Sequence, residues 1–119
     1  MEHKDKLAAV DRYVAAFAAQ DLQIIRELYA EDATVEDPVG TDPHHGLDAI
    51  CAFYEGAMGA GAKLALTGTP RCAGNAVAFP FQVRLPNMHM DVIDVFEFDD
   101  AGKVKSMKAY WGPENMVQS

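Results

Sequence analysis

Cysteine is scarce in this chain: Cys51 and Cys72 are two among 119 residues, too few and too far apart for a disulfide framework, a C-x-x-C redox motif or a zinc site. Both are expected as small core or near-surface hydrophobes. Long apolar runs are missing as well, so no segment has the length of a membrane span. Met1-Glu2-His3-Lys4-Asp5-Lys6 is charged and leads into a mixed helix rather than the apolar stretch of a signal peptide. A soluble, cytoplasmic protein is the expectation. Basic charge is in short supply, with 10 Lys and Arg against 18 Asp and Glu and a net charge of −8. The scattered bases form no stripe, which argues against nucleic acid as a partner. His3, His44, His45 and His89 show no zinc-like spacing. No metal and no cofactor are expected. Internal repeats, low-complexity tracts and Pro/Ser-rich linkers are absent too, so residues 1–119 are read as one domain, half apolar and large enough for a single core.

What is present reads as helices first and strands later. Lys6 to Ala19 carries Leu7, Val10, Tyr13, Val14 and Phe17 at helical spacing. Asp21 is a candidate N-cap for a second helix reaching Leu28, with Leu22, Ile25, Leu28 and Tyr29 as its apolar face. Thr34 to Glu36 predicts a short strand cut by Asp37-Pro38, because proline removes a donor and biases the residue before it away from helix. Val39 to Gly46 reads as loop. Leu47 to Met58 predicts a third helix, with Leu47, Ile50, Phe53, Tyr54 and Ala57 on one side and Gly59-Ala60-Gly61 ending it. Lys63 to Leu66, Ala76 to Leu85, Met88 to Phe98 and Val104 to Trp111 read as strands between turn signals. The pattern implies an α+β fold: three N-terminal helices packed on a curved, mostly antiparallel mixed sheet that forms a conical pocket.

Within that frame Asp94 stands out. Alternation from Met88 to Phe98 puts it on one strand face with Met88, Met90, Val92, Phe96 and Phe98. Burial there disfavours the carboxylate, raises the pKa and leaves a neutral acid able to donate a hydrogen bond. The plain alternative is an aspartate at the open end of the sheet, reaching water. Tyr13 brings a phenol to the core side of the first helix, where a hydroxyl needs a partner; it could equally be a core tyrosine with a wet tip. Asp37 sits at an abrupt strand exit, and Asp-Pro also begins ordinary turns. Taken together, one acid placed to be neutral, a second acid near a polar mouth and a phenol on the same core suit proton abstraction beside a carbonyl. The ionised acid takes the proton, and the donors hold the oxygen that becomes an enolate.

Ala33-Thr34-Val35-Glu36-Asp37-Pro38-Val39-Gly40, His45-Gly46, Phe53-Tyr54, Asp91-Val92-Ile93-Asp94-Val95 and Ala109-Tyr110-Trp111 stand in one order, and from about Ala9 to Asn115 the chain closely resembles the bacterial ketosteroid isomerases. These share the cone fold of nuclear transport factor 2-like proteins. The resemblance implies that Asp37 is a general base moving a proton from C4 to C6 of a 3-oxo-Δ5-steroid. It also implies that Tyr13 and Asp94 are the donors to the C3 oxygen; this family's own enzyme is the best-known illustration of a protonated acid in an oxyanion hole. Tyr54 and Tyr29 match positions that extend a hydrogen-bond network from the catalytic tyrosine, with ordinary core as the alternative. Phe53, Phe79, Phe81, Met107 and Trp111 are expected to line an apolar steroid pocket, and any of them could instead be plain core. A steroid substrate and a homodimer formed through the outer sheet face are likewise implied. Arg84-Leu85-Pro86-Asn87-Met88-His89 departs from the family by promising a short hairpin. The fold also hosts polyketide cyclases, dehydratases, epoxide hydrolases and binding modules. A different enzyme would bring other polar groups to the cavity, with Arg71 or Arg84 as candidates. A binding module would fill the cavity and let Asp94 reach solvent.

Overall fold

Glu2 and Asp5 start the first helix earlier than the apolar stripe alone suggests, because the Asp5 carboxylate accepts the Glu2 N–H at 3.0 Å. In the computed structural model, which describes residues 1–118, helix α1 spans His3–Ala19 and ends where Gln20 turns left-handed at φ 52°. Asp21 caps α2 (Leu22–Leu28), its Oδ1 accepting the Gln23 N–H at 2.9 Å. The chain then passes straight into β1 (Tyr29–Glu36), followed by β2 (His44–His45), α3 (Leu47–Gly59), β3 (Lys63–Leu66) and β4 (Arg71–Ala73). A long hairpin of β5 (Ala76–Leu85) and β6 (Met88–Phe98) leads to β7 (Val104–Tyr110), a 3₁₀ turn (Pro113–Asn115) and β8 (Met116–Gln118).

The sheet runs in the order β2-β1-β7-β6-β5-β3, with β4 beside β5 and β8 beside β6. Only the β1–β7 pairing is parallel, so the sheet is mixed and mostly antiparallel. Leu85 pairs with Met88, which leaves the two-residue turn Pro86-Asn87 that the sequence promised. Four local expectations shift. Tyr29 opens β1 rather than closing the apolar face of α2. The polar pair Glu31-Asp32 is not a break but the exposed part of that strand, lying where its register against β7 shifts between Tyr29 and Thr34. His44–His45 is a strand inside the expected loop, and β4 and β8 were not foreseen at all. These pieces are two or three residues long, too short for any periodicity, and exist through their partners.

The helices cover the concave face of the sheet. Val10, Tyr13 and Phe17 of α1 and Ile50, Tyr54 and Met58 of α3 are buried against Val77, Phe79 and Phe81 of β5, Phe96 and Phe98 of β6, and Met107 and Ala109 of β7. Asp94 falls on this buried face as its alternation requires, flanked in register by Phe79 and Ala109. On the opposite face Ile93 pairs with Tyr110, and about half of each is exposed, at 48% and 49%. Among the described residues no helix is long and apolar enough to cross a membrane.

Candidate active site

A cavity of about 240 Å³ opens between α1, α3 and the curled β5–β6 hairpin. Its outer part is hydrocarbon, from Ala57, Ala60, Leu64, Val83, Leu85 and Met90. Polar atoms enter through five side chains only: Tyr13, Tyr54, Asp94, Asp37 and Trp111. The volume is just below the range of about 300–1,000 Å³ common for small-molecule sites, so a long rigid ligand would leave one end outside.

Asp94 is 1% exposed. Neither of its carboxyl oxygens has a hydrogen-bond partner among the described residues. Burial drives its pKa well above the ordinary carboxylate range, the negative charge of Asp37 adds to the rise, and the nearby Tyr13 phenol damps it. The shift favours the protonated acid, which has an O–H to give. Asp37 is half-buried and differently placed: burial raises its pKa, but the Trp111 indole N–H donates to Oδ1 at 2.7 Å and the charge of His44 pulls in the same, lowering direction. Its Oδ1 is therefore held by the indole, while Oδ2 has no such anchor. The two acids share one cavity but differ in surroundings: burial raises both pKa values, more strongly for Asp94, while the indole bond and His44 hold back the rise at Asp37.

Three tyrosine hydroxyls form a chain, Tyr29 to Tyr54 at 2.6 Å and Tyr54 to Tyr13 at 3.1 Å. Burial is the first cause raising all three pKa values well above the ordinary phenol value, so each keeps its proton at neutral pH. Tyr13 is boxed edge-on by Phe17, Phe79 and Phe96 at ring distances of 5.4, 5.9 and 5.1 Å, which fixes the direction of its hydroxyl.

Tyr13, Asp37, Asp94, Tyr54, Phe53, Phe81 and Trp111 thus meet at the cavity wall. Phe79 and Met107 do not. Both are wholly enclosed, at 0% exposure, because the sheet curls over the floor and packs Phe79 against the rings of Phe81 and Phe96 at 5.4 and 5.0 Å. They support the cavity from beneath rather than line it. Tyr29 also stays behind the wall and reaches it only through Tyr54. Sequence reasoning treated Trp111 as an apolar wall and missed its indole as the donor to Asp37; the available signal was that a half-buried indole N–H seeks an acceptor. His44 beside Phe53 was missed also. Arg71 and Arg84 contribute nothing to the cavity: they bond the Thr69 carbonyl and the Gln82 side chain at the surface. Among the described residues no three His, Cys, Asp or Glu side chains gather as metal ligands would.

Residues 10–107 match the SnoaL-like domain family. Over 114 residues, 92% of either chain, the sequence is 42% identical to the steroid Δ-isomerase of Nocardioides simplex. The chain belongs to this isomerase family of SnoaL-like domains. In structure, SalBIII, an epoxide hydrolase/cyclase-like enzyme with a role in pyran ring formation in the polyether salinomycin, superposes with a TM-score of 0.92. That match covers 99% of this chain and 98% of the other at 24% identity, and it speaks to the cone fold rather than the chemistry. The SnoaL-like cone explains why helices and strands of such different lengths converge on one pocket: the sheet curls around α1 and α3 and leaves its wide end uncovered.

Proposed function

We propose that this chain is a steroid Δ5-isomerase that converts 3-oxo-Δ5-steroids to their conjugated 3-oxo-Δ4 isomers. The observation that carries the reading is Asp94: a fully buried acid whose two oxygens lack partners among the described residues, in an apolar cavity whose other acid, Asp37, accepts a hydrogen bond from an indole. In the mechanism we infer, Asp37 removes a proton from C4, and the electron pair of that C–H bond moves through C3 to leave a dienolate oxygen. Tyr13 and protonated Asp94 donate hydrogen bonds to that oxygen. Asp37 then returns the proton to C6, the C5–C6 double bond having moved to C4–C5, and it ends as it began. Protons and electrons balance within the substrate, so no cofactor takes part. Running from Tyr29 through Tyr54 to Tyr13, the hydroxyl chain spends each proton on the next oxygen and leaves the Tyr13 proton free for substrate. The hydrocarbon walls exclude water and so strengthen both bonds to the enolate.

The test is the rise of conjugated enone absorbance when purified protein meets 5-androstene-3,17-dione. Turnover supports the reading; a folded protein that binds a 3-hydroxyaryl steroid without turning over the enone precursor removes it. A pure binding module fits less well, since the cavity is open and Asp94 does not reach solvent.

Trp111→Phe provides a further expected outcome. The indole bond stabilises the ionised form of Asp37, so its loss moves the Asp37 pKa up and the acid limb of the kcat/KM profile to higher pH. A hydrogen bond to a charged group contributes about 1.5–3 kcal/mol. Catalytic efficiency below neutral pH should therefore fall by about tenfold or more, and a profile superimposable on wild type would rule out this role for the indole.

The active species is inferred to be a homodimer joined through the outer sheet face, where Ile93 and Tyr110 stand side by side and exposed. Burying them against a second copy removes apolar surface that a monomer would leave wet. Light scattering should give twice the chain mass for wild type and a shift toward the single chain for Tyr110→Asp. A wild-type monomer at tens of micromolar overturns this.

A further inference from the structure

Two long, exposed side chains at the helix ends, Gln20 and Lys63, make contacts that the candidate chemistry does not use. Gln20 follows α1 in the left-handed region, at φ 52° and ψ 47°, a conformation that glycine or asparagine usually supplies at a helix end. Among the described residues it is the one non-glycine residue with a positive φ. Its side-chain amide crosses to α3 and donates from Nε2 to the Met58 carbonyl at 2.8 Å. Lys63, the first residue of β3, reaches the end of α1 from the sheet: its Nζ donates to the Phe17 carbonyl at 3.0 Å and to the Ala18 carbonyl at 3.3 Å. All three acceptors lie in the last turns of α1 and α3, where intrahelical donors run out. The same stretches of chain carry cavity residues. Phe17 lines the cavity, Ala57 beside Met58 does so too, and Ala62 and Leu64 flank Lys63 on the wall.

We propose that Gln20 and Lys63 are positioning residues that clasp the ends of α1, α3 and β3 together and so set the width of the cavity's apolar outer part. Deeper in, the spacing of the two helices is fixed without them. Tyr13 and Tyr54 are joined through their hydroxyls at 3.1 Å, and Phe79 and Phe96 of the sheet hold the Tyr13 ring. One turn further along each helix stand Phe17 and Ala57, which have no side-chain hydrogen bond to exchange, and an alanine is too small to interlock with the opposite helix. There the tie is made by the Gln20 amide and the Lys63 ammonium. The left-handed turn agrees with this. Glycine would adopt it without strain, but it would leave the Met58 carbonyl without the amide that reaches across from α1. Loosening the clasp acts on the hydrocarbon that would hold the body of a ligand and leaves the Tyr13 hydroxyl and the two acids in place. Its effect therefore falls on binding rather than on the chemical step.

This inference rests on the steroid reading for its ligand, and the experiment separates the two. Gln20→Gly removes the amide while suiting the left-handed turn, and Lys63→Met keeps an apolar stem while removing the ammonium. The two single variants and the double variant are compared with wild type by affinity for a 3-hydroxyaryl steroid, by kcat and KM on 5-androstene-3,17-dione, and by amide hydrogen exchange across residues 57–62. Steroid affinity should weaken and KM rise several-fold in each single variant and further in the double variant, with kcat close to wild type and faster exchange across residues 57–62. Lys63→Arg, which restores donors at the same place, should bring KM back toward wild type. Wild-type KM and steroid affinity in a natively folded double variant would overturn the proposal, even with a lowered Tm, since the two side chains would then serve stability alone. A loss confined to kcat overturns it as well. Should Lys63→Met fail to fold, Gln20→Gly carries the same comparison. If wild type neither binds nor turns over steroid, the isomerase reading falls and exchange alone decides: faster exchange in the double variant upholds the clasp, and unchanged exchange sinks it.

Discussion

Asp37→Asn is expected to lower kcat on 5-androstene-3,17-dione by about 10²–10⁴-fold, the range by which a positioned general base accelerates proton transfer. The amide has nearly the shape of the carboxylate and can still accept from the Trp111 indole at its carbonyl oxygen, so the cavity should keep its form. What disappears is the carboxylate proposed as the base, since burial drives the pKa of the cavity's other acid, Asp94, well upward. Steroid affinity should change little, because the hydrocarbon wall proposed to bind the rings is untouched. A variant that retains wild-type kcat would move the base elsewhere and dismantle the mechanism. One that loses activity only through KM would make Asp37 a binding group.

Removing either proposed oxygen-binding donor, by Tyr13→Phe or Asp94→Ala, should cost about 10²–10³ in kcat, roughly 3–4 kcal/mol of transition-state stabilisation, with a much smaller change in KM. The loss falls on kcat because the negative charge these donors meet develops only along the reaction path. Asp94→Asn should lose less, since its amide N–H can replace the acid proton. That variant also isolates a stability effect with a definite sign. In the folded protein burial raises the Asp94 pKa, whereas in the unfolded chain an aspartate releases its proton above about pH 4. The unfolded state therefore binds fewer protons, and wild-type stability falls as pH rises from about 4 toward the raised folded pKa. Asp94→Asn lacks this slope, so its Tm relative to wild type should climb as pH rises above about 4. A constant Tm difference across that window would show that Asp94 is not neutral in the folded protein. A loss of activity seen only in KM would argue against the oxygen-binding role of both donors.

The candidate site was legible to the extent that its residues announce themselves by conflict with their surroundings. A carboxylate on an apolar strand face breaks the alternation, and that single breach pointed to Asp94. Asp37 and Tyr13 gave weaker signals, because an Asp-Pro turn and a core tyrosine are both commonplace; they gained meaning only in company and through the ketosteroid isomerase resemblance. The Trp111 indole signalled only that its N–H needs an acceptor, not which one, and the stack of His44 on Phe53 gave no signal, since residues 74 positions apart in the one case and on separate elements in the other meet only when the sheet closes. Phe79 and Met107 were assigned to the wall by strand parity. Parity separates the two faces of a sheet, but it does not tell which inward residues touch open space and which are covered by their neighbours.

By itself, the sequence determined the order of helices and strands, the limits of α3, β3, β5 and β6 to within a residue, the side on which Asp94 lies and the short Pro86-Asn87 turn. Each is set by contacts or periodicities local to the chain: apolar spacing, an N-cap, a pair of turn residues. Tertiary structure decided the rest. It set the small pairings of β2, β4 and β8, the continuation of β1 through Glu31-Asp32, and the division of inward aromatics between wall and floor. It also gave two chemically identical aspartates different surroundings. That difference is made by burial, by a donor from the far end of the chain and by a histidine on a neighbouring strand, none of which exists until the sheet has curled around its helices.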